Sequence, residues 1–143
     1  MTSIQSPGRT IDVPGITTPV SPYPAATRAG DWVYVSGQVS FDDDGSVRGE
    51  GDIEAQTRCS LERLQRVLAG YGAGLADVVS CTVYLRDAGL ADAFNTAWVS
   101  AFDGHRPSRA TVVAELLDRR LLVEVQAIAY LPQTPTPSSE AGK

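Results

Sequence analysis

Residues 106–130 read RPSRATVVAELLDRRLLVEVQAIAY, two apolar runs separated by a charged connection. The first run, residues 108–116, and the second, residues 121–130, are rich in Val, Leu, Ile and Ala, a composition that favours β-strands. Three charges interrupt them in residues 117–120. The pattern predicts two strands joined by a turn. If they form a hairpin, Arg109 lies opposite about residue 126 to 128.

Each predicted strand carries polar side chains on one of its faces. Because side chains alternate along a strand, Arg109 shares a face with Thr111, and Glu124 shares a face with Gln126. A buried charge without a partner is costly, so Arg109 and Glu124 require a partner or a function. The pattern leaves three interpretations open: an ion pair between the two, a solvated sheet face, or a functional site. The register between the two strands is not fixed by the sequence.

Length and charge limit the class of protein. With 143 residues, 43% hydrophobic and 20% charged, the chain has the composition of one soluble globular domain. Its formal net charge of −5 argues against a dedicated nucleic-acid-binding protein. No apolar run is long enough for a membrane span, and the N-terminus lacks the features of a signal peptide. We therefore expect a cytoplasmic protein without nucleic-acid or membrane partners.

The sequence lacks the usual metal-binding patterns. It contains no CxxC and no HExxH, and His105 is its single histidine, so we expect no bound metal. Cys59 and Cys81 fall in a predicted helix and a predicted strand, where small buried side chains are the ordinary interpretation. His105 lies in a predicted loop with nothing nearby to orient it, which favours a surface position over a role as general base.

The two ends of the chain differ in composition from its middle. Residues 1–20 are polar and interrupted by Pro and Gly, which is typical of an irregular arm. Residues 133–143 have the composition of a disordered tail. The domain is therefore predicted to span residues 21–132.

Within this domain, further strands and helices precede the opening stretch. We predict strands at residues 32–39 and 78–85, and helices at residues 52–71, with Asp52 as N-cap, and at residues 88–102. Two amphipathic helices require a sheet to cover. This predicts an α+β protein with both helices on one face of a mixed sheet. The other face must also be buried, which favours an oligomer.

Short motifs follow one another through residues 21–132. They are Pro22-Tyr23, Val35-Ser-Gly-Gln38, Asp52–Leu64 with Gln56-Thr-Arg58, Asp77-Val-Val, Thr82-Val-Tyr-Leu, Phe94-Asn95, Arg106-Pro-Ser-Arg-Ala-Thr111 and Val123-Glu-Val-Gln-Ala-Ile-Ala129. Each is weak alone, but in this order and spacing the chain resembles the RidA (YjgF) family of reactive intermediate deaminases. The resemblance implies a chorismate-mutase-like subunit in a homotrimer, with a central barrel of sheets and active sites in the clefts between subunits.

The resemblance also implies an activity: the hydrolysis of enamines and imines such as 2-aminoacrylate to 2-keto acids and ammonia. The family's substrate-binding arginine matches Arg109, and its water-activating glutamate matches Glu124. The ligand-contacting tyrosine matches Tyr23, and the serine and glycine of the strand motif match Ser36 and Gly37. No cofactor is implied.

Two positions depart from the family's pattern. Thr111, a further candidate substrate-binding residue, stands where the family often has cysteine, and Gln126 replaces a residue that is frequently glutamate. These departures are compatible with membership of the catalytically active class of the family, but they do not define the substrate. We therefore retain two alternatives to a broad imine deaminase: a pathway-specific deaminase of a larger enamine, and a non-catalytic trimeric ligand-binding or chaperone-like protein.

Overall fold

A computed structural model describes residues 9–133 of the chain. These residues form one six-stranded sheet and two α-helices. In chain order the elements are β1 (Thr10–Ile11), β2 (Ala26–Ala29), β3 (Trp32–Val39), α1 (Ile53–Ala69), β4 (Val78–Leu85), α2 (Ala91–Phe102), β5 (Ser108–Val113) and β6 (Val123–Tyr130). Short 3₁₀ turns at Leu75–Asp77 and Ala88–Leu90 lead into β4 and α2.

Part of the predicted N-terminal arm belongs to the sheet. Strand β1 pairs with β2 in antiparallel register, Thr10 opposite Thr27. Residues 1–8 and residues 134–143 of the predicted tail lie outside the described residues. The arm and tail boundaries therefore stay predictions.

Helix α1 follows the sequence signals for its start and its buried face. Asp52 is its N-cap, and the carboxylate accepts a hydrogen bond from the backbone N–H of Ala55 at 3.0 Å. Leu61, Leu64 and Leu68 share one face and are buried, because they recur at helical spacing. Each such leucine stabilises the fold by about 1.5–3 kcal/mol relative to an exposed position.

The strand order is β1-β2-β3-β6-β4-β5, with β4 and β5 parallel and the other neighbours antiparallel. The α+β class, the mixed sheet and the helix-covered face are confirmed. The hairpin between the last two strands was wrong, because β4 lies between β5 and β6. The physical reason is the crossover: β4, α2 and β5 form a β-α-β unit, which places β5 parallel to β4 at the sheet edge.

The two faces of the sheet differ along β6. Val123, Val125, Ala127 and Ala129 are buried beneath the helices, whereas the alternate residues project from the other face, which we call the open face. The open face exposes several aromatic side chains: Trp32 at 42%, Tyr34 at 46% and Tyr130 at 40%. An apolar face of this kind is typical of an interaction surface. None of the helices in residues 9–133 is long and apolar enough to cross a membrane.

Gln56 fixes the connection between β5 and β6 to helix α1. Its side chain is fully buried; Nε2 donates to the carbonyls of Gly49 at 3.1 Å and Arg120 at 2.9 Å. Its Oε1 accepts from the N–H of Leu122 at 2.8 Å. Gln56 therefore supplies hydrogen-bond partners to backbone groups of this irregular connection, which would otherwise be buried without partners.

We expect Gln56→Leu to lower the free energy of unfolding by about 3–5 kcal/mol, because several buried backbone groups lose their partners. Urea denaturation followed by circular dichroism measures the loss. Gln65→Leu is the matched control: Gln65 is exposed on the same helix, and its replacement is expected to change stability by no more than about 0.5 kcal/mol. Equal stability of the two variants would contradict the anchoring role of Gln56.

Candidate functional site

Strand register directs Arg109 toward the helices. Arg109 is paired with Cys81 of β4, and the Cys81 side chain is buried on the helix-covered face. Arg109 therefore projects from that face at the sheet edge and reaches α2. Its guanidinium carbon lies 4.9 Å from the centre of the Phe94 ring and 5.0 Å from that of Trp98. Such cation–π contacts hold the guanidinium without neutralising it.

Two neutral side chains accept hydrogen bonds from this arginine. Nε of Arg109 donates to Thr111 Oγ1 at 2.8 Å, and Nη2 donates to Asn95 Oδ1, also at 2.8 Å. Arg109, Thr111 and Asn95 form what we call the arginine cluster. Within residues 9–133, the ion pairs do not include Arg109. The cluster thus presents a positioned positive charge at an exposed edge, which suits a carboxylate ligand.

Burial shifts the pKa of Arg109 and of the cysteine that lies beneath its guanidinium. The aromatic rings and the sheet lower the pKa of Arg109 through burial, an effect opposed by the nearby Cys81. Burial raises the pKa of the Cys81 thiol to about 12. The arginine nevertheless remains charged, because its ordinary pKa lies far above neutrality. Cys81 is a neutral, buried neighbour, not a nucleophile.

Glu124 lies on the open face. Its register partners are Val39 on one side and Tyr84 on the other. A Cβ atom at Gly37 would overlap the Glu124 carboxylate, so the absence of a side chain at residue 37 leaves the space that this carboxylate occupies. Burial raises the pKa of Glu124. A half-buried carboxylate with a raised pKa is a stronger base than an exposed one, which suits proton transfer.

The other residues implied by the resemblance border the same glycine. A cavity of about 180 Å³ is lined by Tyr23, Ser36 and Gly37, and by residues of the arm such as Ile16 and Thr17. Glu124, Gly37, Ser36 and Tyr23 form what we call the carboxylate cluster. Gly37 also lines the cavity that contains Glu124. Gly37 therefore links Tyr23 and Ser36, which line the first cavity, to Glu124, which lines the second.

Ser36 and Tyr23 differ in how they are held. The Ser36 hydroxyl donates to the carbonyl of Pro24 at 2.8 Å, which fixes the segment that follows Tyr23. While this bond persists, Ser36 can accept a hydrogen bond from a ligand but cannot donate one. Tyr23 is 60% exposed, so its hydroxyl is available to a ligand or to another chain.

Arg109 and Glu124 do not meet within one chain. They lie on β5 and β6 with β4 between them, which separates them by roughly 10 Å across the strands. Arg109 is level with Cys81 and Glu124 with Tyr84, so they are also roughly 10 Å apart along the strands. They also project from opposite faces, because Arg109 aligns with the buried Cys81 whereas Glu124 alternates with buried residues. The ion pair that the sequence left open is not formed in the single chain. The arginine cluster and the carboxylate cluster are thus separate.

Asn95 and His105 are better placed than the sequence pattern suggested. A polar residue beside the apolar stripe of a helix is ordinarily a surface or packing residue, but Asn95 of α2 accepts a hydrogen bond from the Arg109 guanidinium. The expectation that nothing orients His105 was wrong. Its Nε2–H donates to the carbonyl of Val78 at 2.6 Å, and its ring lies 6.0 Å from that of Phe102.

The site residues contain no obvious ligand set for a metal. In the described part of the chain, no group of three or more His, Cys, Asp or Glu side chains is arranged to hold an ion. The candidate site thus consists of a guanidinium at the sheet edge and a separate carboxylate on the open face.

Comparison with known proteins defines the family. The family model described as "Endoribonuclease L-PSP" matches residues 15–131. A RutC family protein from Pyrococcus horikoshii is 35% identical over 112 residues, which cover 78% of this chain and 89% of that protein. The chain therefore belongs to the RidA/YjgF family, to which the endoribonuclease L-PSP model corresponds.

Solved structures agree with this assignment. The crystal structure of RidA from the Antarctic bacterium Psychrobacter sp. matches with a TM-score of 0.77 at 29% identity, covering 85% of this chain and 98% of that one. The YjgF gene product from E. coli matches with a TM-score of 0.76 at 26% identity, covering 85% and 97%. The similarity thus includes almost the whole of each relative.

Proposed function

We propose that this protein hydrolyses reactive enamine or imine carboxylates of the 2-aminoacrylate type to 2-keto acids and ammonia. One observation carries the proposal. The chain presents a guanidinium and a basic carboxylate in separate clusters, and within residues 9–133 neither is engaged in an ion pair. The guanidinium can bind an anionic substrate, and the basic carboxylate can activate the water that a hydrolytic reaction requires.

Substrate binding is assigned to the arginine cluster. Asn95 and Thr111 hold Nη2 and Nε of Arg109, so the guanidinium keeps one orientation, and within residues 9–133 its Nη1 makes no hydrogen bond. A planar guanidinium binds a carboxylate through parallel, charge-assisted hydrogen bonds. This fixes the imine carbon relative to the catalytic carboxylate, and such positioning supplies much of the rate for a substrate that is already reactive.

The hydrolytic step is assigned to Glu124. The enamine first tautomerises to its imine, whose C=N carbon is electrophilic. Glu124 removes a proton from a water molecule as the water oxygen bonds to this carbon, and the C=N electron pair moves to nitrogen. This nitrogen takes the proton back from Glu124, which gives a carbinolamine. Glu124 then removes the hydroxyl proton of the carbinolamine while the C–N bond breaks toward nitrogen, and the nitrogen accepts this second proton and leaves as ammonia. The carbonyl of the 2-keto acid forms at the same carbon.

The separation of the clusters favours active sites shared between chains, and the resemblance to the family implies that these chains form a homotrimer. A substrate of six non-hydrogen atoms cannot span opposite faces of one sheet, so Arg109 of one chain must act with Glu124 of another. The aromatic open face supplies an apolar surface for such association. We expect multi-angle light scattering to give about three times the mass of a single chain. A stable monomer at micromolar concentration would contradict the shared site.

A coupled assay tests the proposed activity. A pyridoxal-phosphate-dependent serine dehydratase releases 2-aminoacrylate in situ, and pyruvate formation is followed in the presence and absence of this protein. We expect pyruvate to form faster than by spontaneous hydrolysis. A folded protein that leaves the spontaneous rate unchanged would contradict the proposal for this substrate.

Gly37→Ala is expected to lower kcat by about 10²-fold, because a displacement of a catalytic group by about 1 Å has an effect of this size. The added Cβ would overlap the Glu124 carboxylate and displace it. Gly74→Ala is the matched control, since its Cβ would meet no atom within 4 Å. Steady-state kinetics of both variants gives the comparison, and circular dichroism shows whether each is folded. Unchanged activity of Gly37→Ala would exclude the assigned position of Glu124.

Two other functions are less well supported. The family description names RNA cleavage, but a net charge of −5 opposes binding to a polyanion. A non-catalytic carboxylate-binding protein would need Arg109 alone, whereas a second carboxylate in the same site weakens the binding of an anion. The raised pKa of Glu124 is a property that a base requires and a simple binding site does not.

A further inference from the structure

A third cavity adjoins the arginine cluster, between the end of α2 and the loop that leads to β5. Its volume is about 380 Å³. Arg109 forms one side, and Trp98, Val99 and Pro107 supply apolar walls. The exposed Arg106 also lines it. The cavity thus continues from the guanidinium that we assign to the substrate carboxylate into largely apolar space.

The backbone that encloses this cavity is fixed by a tight turn. Asp103 and Gly104 both adopt positive φ, 47° and 91°, which is uncommon for a residue other than glycine. The N–H of Asp103 donates to the carbonyl of Val99 at 3.1 Å. The ring of His105, held by the carbonyl of Val78, closes the turn against the sheet. These bonds fix the backbone that borders the cavity.

The cavity is larger than the smallest substrates need. Sites of about 300 Å³ or more accommodate ligands well beyond a three-carbon imino acid. Arg106 is exposed rather than buried against the apolar walls, so it leaves the interior available to an apolar group. A substrate side chain that extends past Arg109 would enter this space.

We propose that the cavity beside Arg109 receives the substrate's side chain, and that the preferred substrates are imino acids with a branched or aromatic apolar side chain. The inference rests on the proposed function and specifies its substrate class. The carboxylate remains on Arg109, and the added contacts are apolar. They bind the side chain by removing it from water.

The test uses imines made in situ by an L-amino-acid oxidase from alanine, leucine and phenylalanine, with the remaining imine trapped by semicarbazide. We expect kcat/KM for the leucine and phenylalanine imines to exceed that for the alanine imine by at least about tenfold, the discrimination that apolar pockets provide. A glutamate-derived imine of similar length, made with a suitable dehydrogenase, tests whether the pocket instead selects a second carboxylate.

Val99→Trp fills the cavity from the exposed side of α2. We expect it to lower the ratio of kcat/KM for leucine imine over alanine imine about tenfold or more. Ser100→Trp is the matched control, because it places the same bulk at the next exposed residue of the helix without lining the cavity. It is expected to leave the ratio unchanged.

The outcomes separate the two proposals. Acceleration of every imine without preference for size, or a preference for the glutamate imine, overturns the apolar pocket and leaves the deaminase proposal standing. A size preference that survives Val99→Trp also overturns the pocket. Failure to accelerate any imine overturns the deaminase proposal, and this inference with it.

Discussion

Arg109→Ala is expected to lower kcat/KM for 2-aminoacrylate about 10³-fold, equivalent to about 4 kcal/mol of transition-state binding. The substitution removes the charge and the planar set of donors that we assign to the substrate carboxylate. Its neighbours Asn95 and Thr111 are neutral and cannot replace them. Arg109→Lys should recover only part of the activity, because an ammonium lacks the bidentate geometry.

Two controls distinguish this loss from misfolding. Arg119→Ala removes an exposed arginine from the same region and is expected to keep full activity. The thermal unfolding midpoint of Arg109→Ala should remain close to that of the wild type, because the residue is exposed at a sheet edge. Pyruvate formation, measured with the dehydratase assay, decides the result. Activity retained by folded Arg109→Ala would mean that the substrate carboxylate binds elsewhere.

Glu124→Gln is expected to reduce kcat about 10³-fold while the 2-keto acid product still binds. The amide keeps the shape of the carboxylate but cannot accept a proton from water, and general base catalysis contributes about 10²–10⁴-fold. In the wild type, kcat should rise with pH through the pKa of Glu124, which burial places above the ordinary glutamate value. Stopped assays across pH, together with calorimetric titration of pyruvate, measure both effects.

Stability should change in the opposite direction to activity. Because burial raises the pKa of Glu124 in the folded protein, the folded state holds this proton more tightly than the unfolded state. This group's contribution to stability is therefore present below the unfolded-state pKa and is lost as pH rises through the folded-state pKa. Glutamine does not ionise, so Glu124→Gln does not lose stability as the pH rises. We therefore expect the variant to be at least as stable as the wild type at neutral pH.

Glu115→Gln serves as the control for Glu124→Gln. Glu115 lines the same cavity but is exposed, and its replacement is expected to leave kcat within about twofold. If Glu115→Gln and Glu124→Gln lose activity equally, the base is misassigned. Full activity of Glu124→Gln would exclude Glu124 as the base.

The two inactive variants together test whether the site is shared between chains. When Arg109→Ala and Glu124→Gln chains are unfolded, mixed equally and refolded, some interfaces combine an intact Arg109 from one chain with an intact Glu124 from another. Random mixing in a cyclic trimer restores about one quarter of the sites. Recovery of activity near this fraction supports the shared site. No recovery from mixed oligomers would place both residues in a site within one chain.

Local features of this protein could be predicted from its residues. Asp52 begins α1 because its carboxylate accepts an N–H of the first helical turn, and this depends only on residues close in the chain. The alternation of Val123, Glu124 and Val125 likewise assigned the faces of β6 before its neighbours were known. The motifs from Pro22 to Ala129 identified the family for the same reason, since they are read in order along the chain.

The position of β5 could not be obtained in this way. Two apolar strands joined by a short connection resemble a hairpin, and only the packing of α2 against the sheet placed β4 between them. This insertion separates Arg109 from Glu124 and turns them to opposite faces. The contact of Gly37 with Glu124 and the bond from His105 to Val78 also join residues far apart in sequence. Secondary structure and faces follow from local periodicity, but strand neighbours and cavities depend on long-range packing, which has no period along the chain.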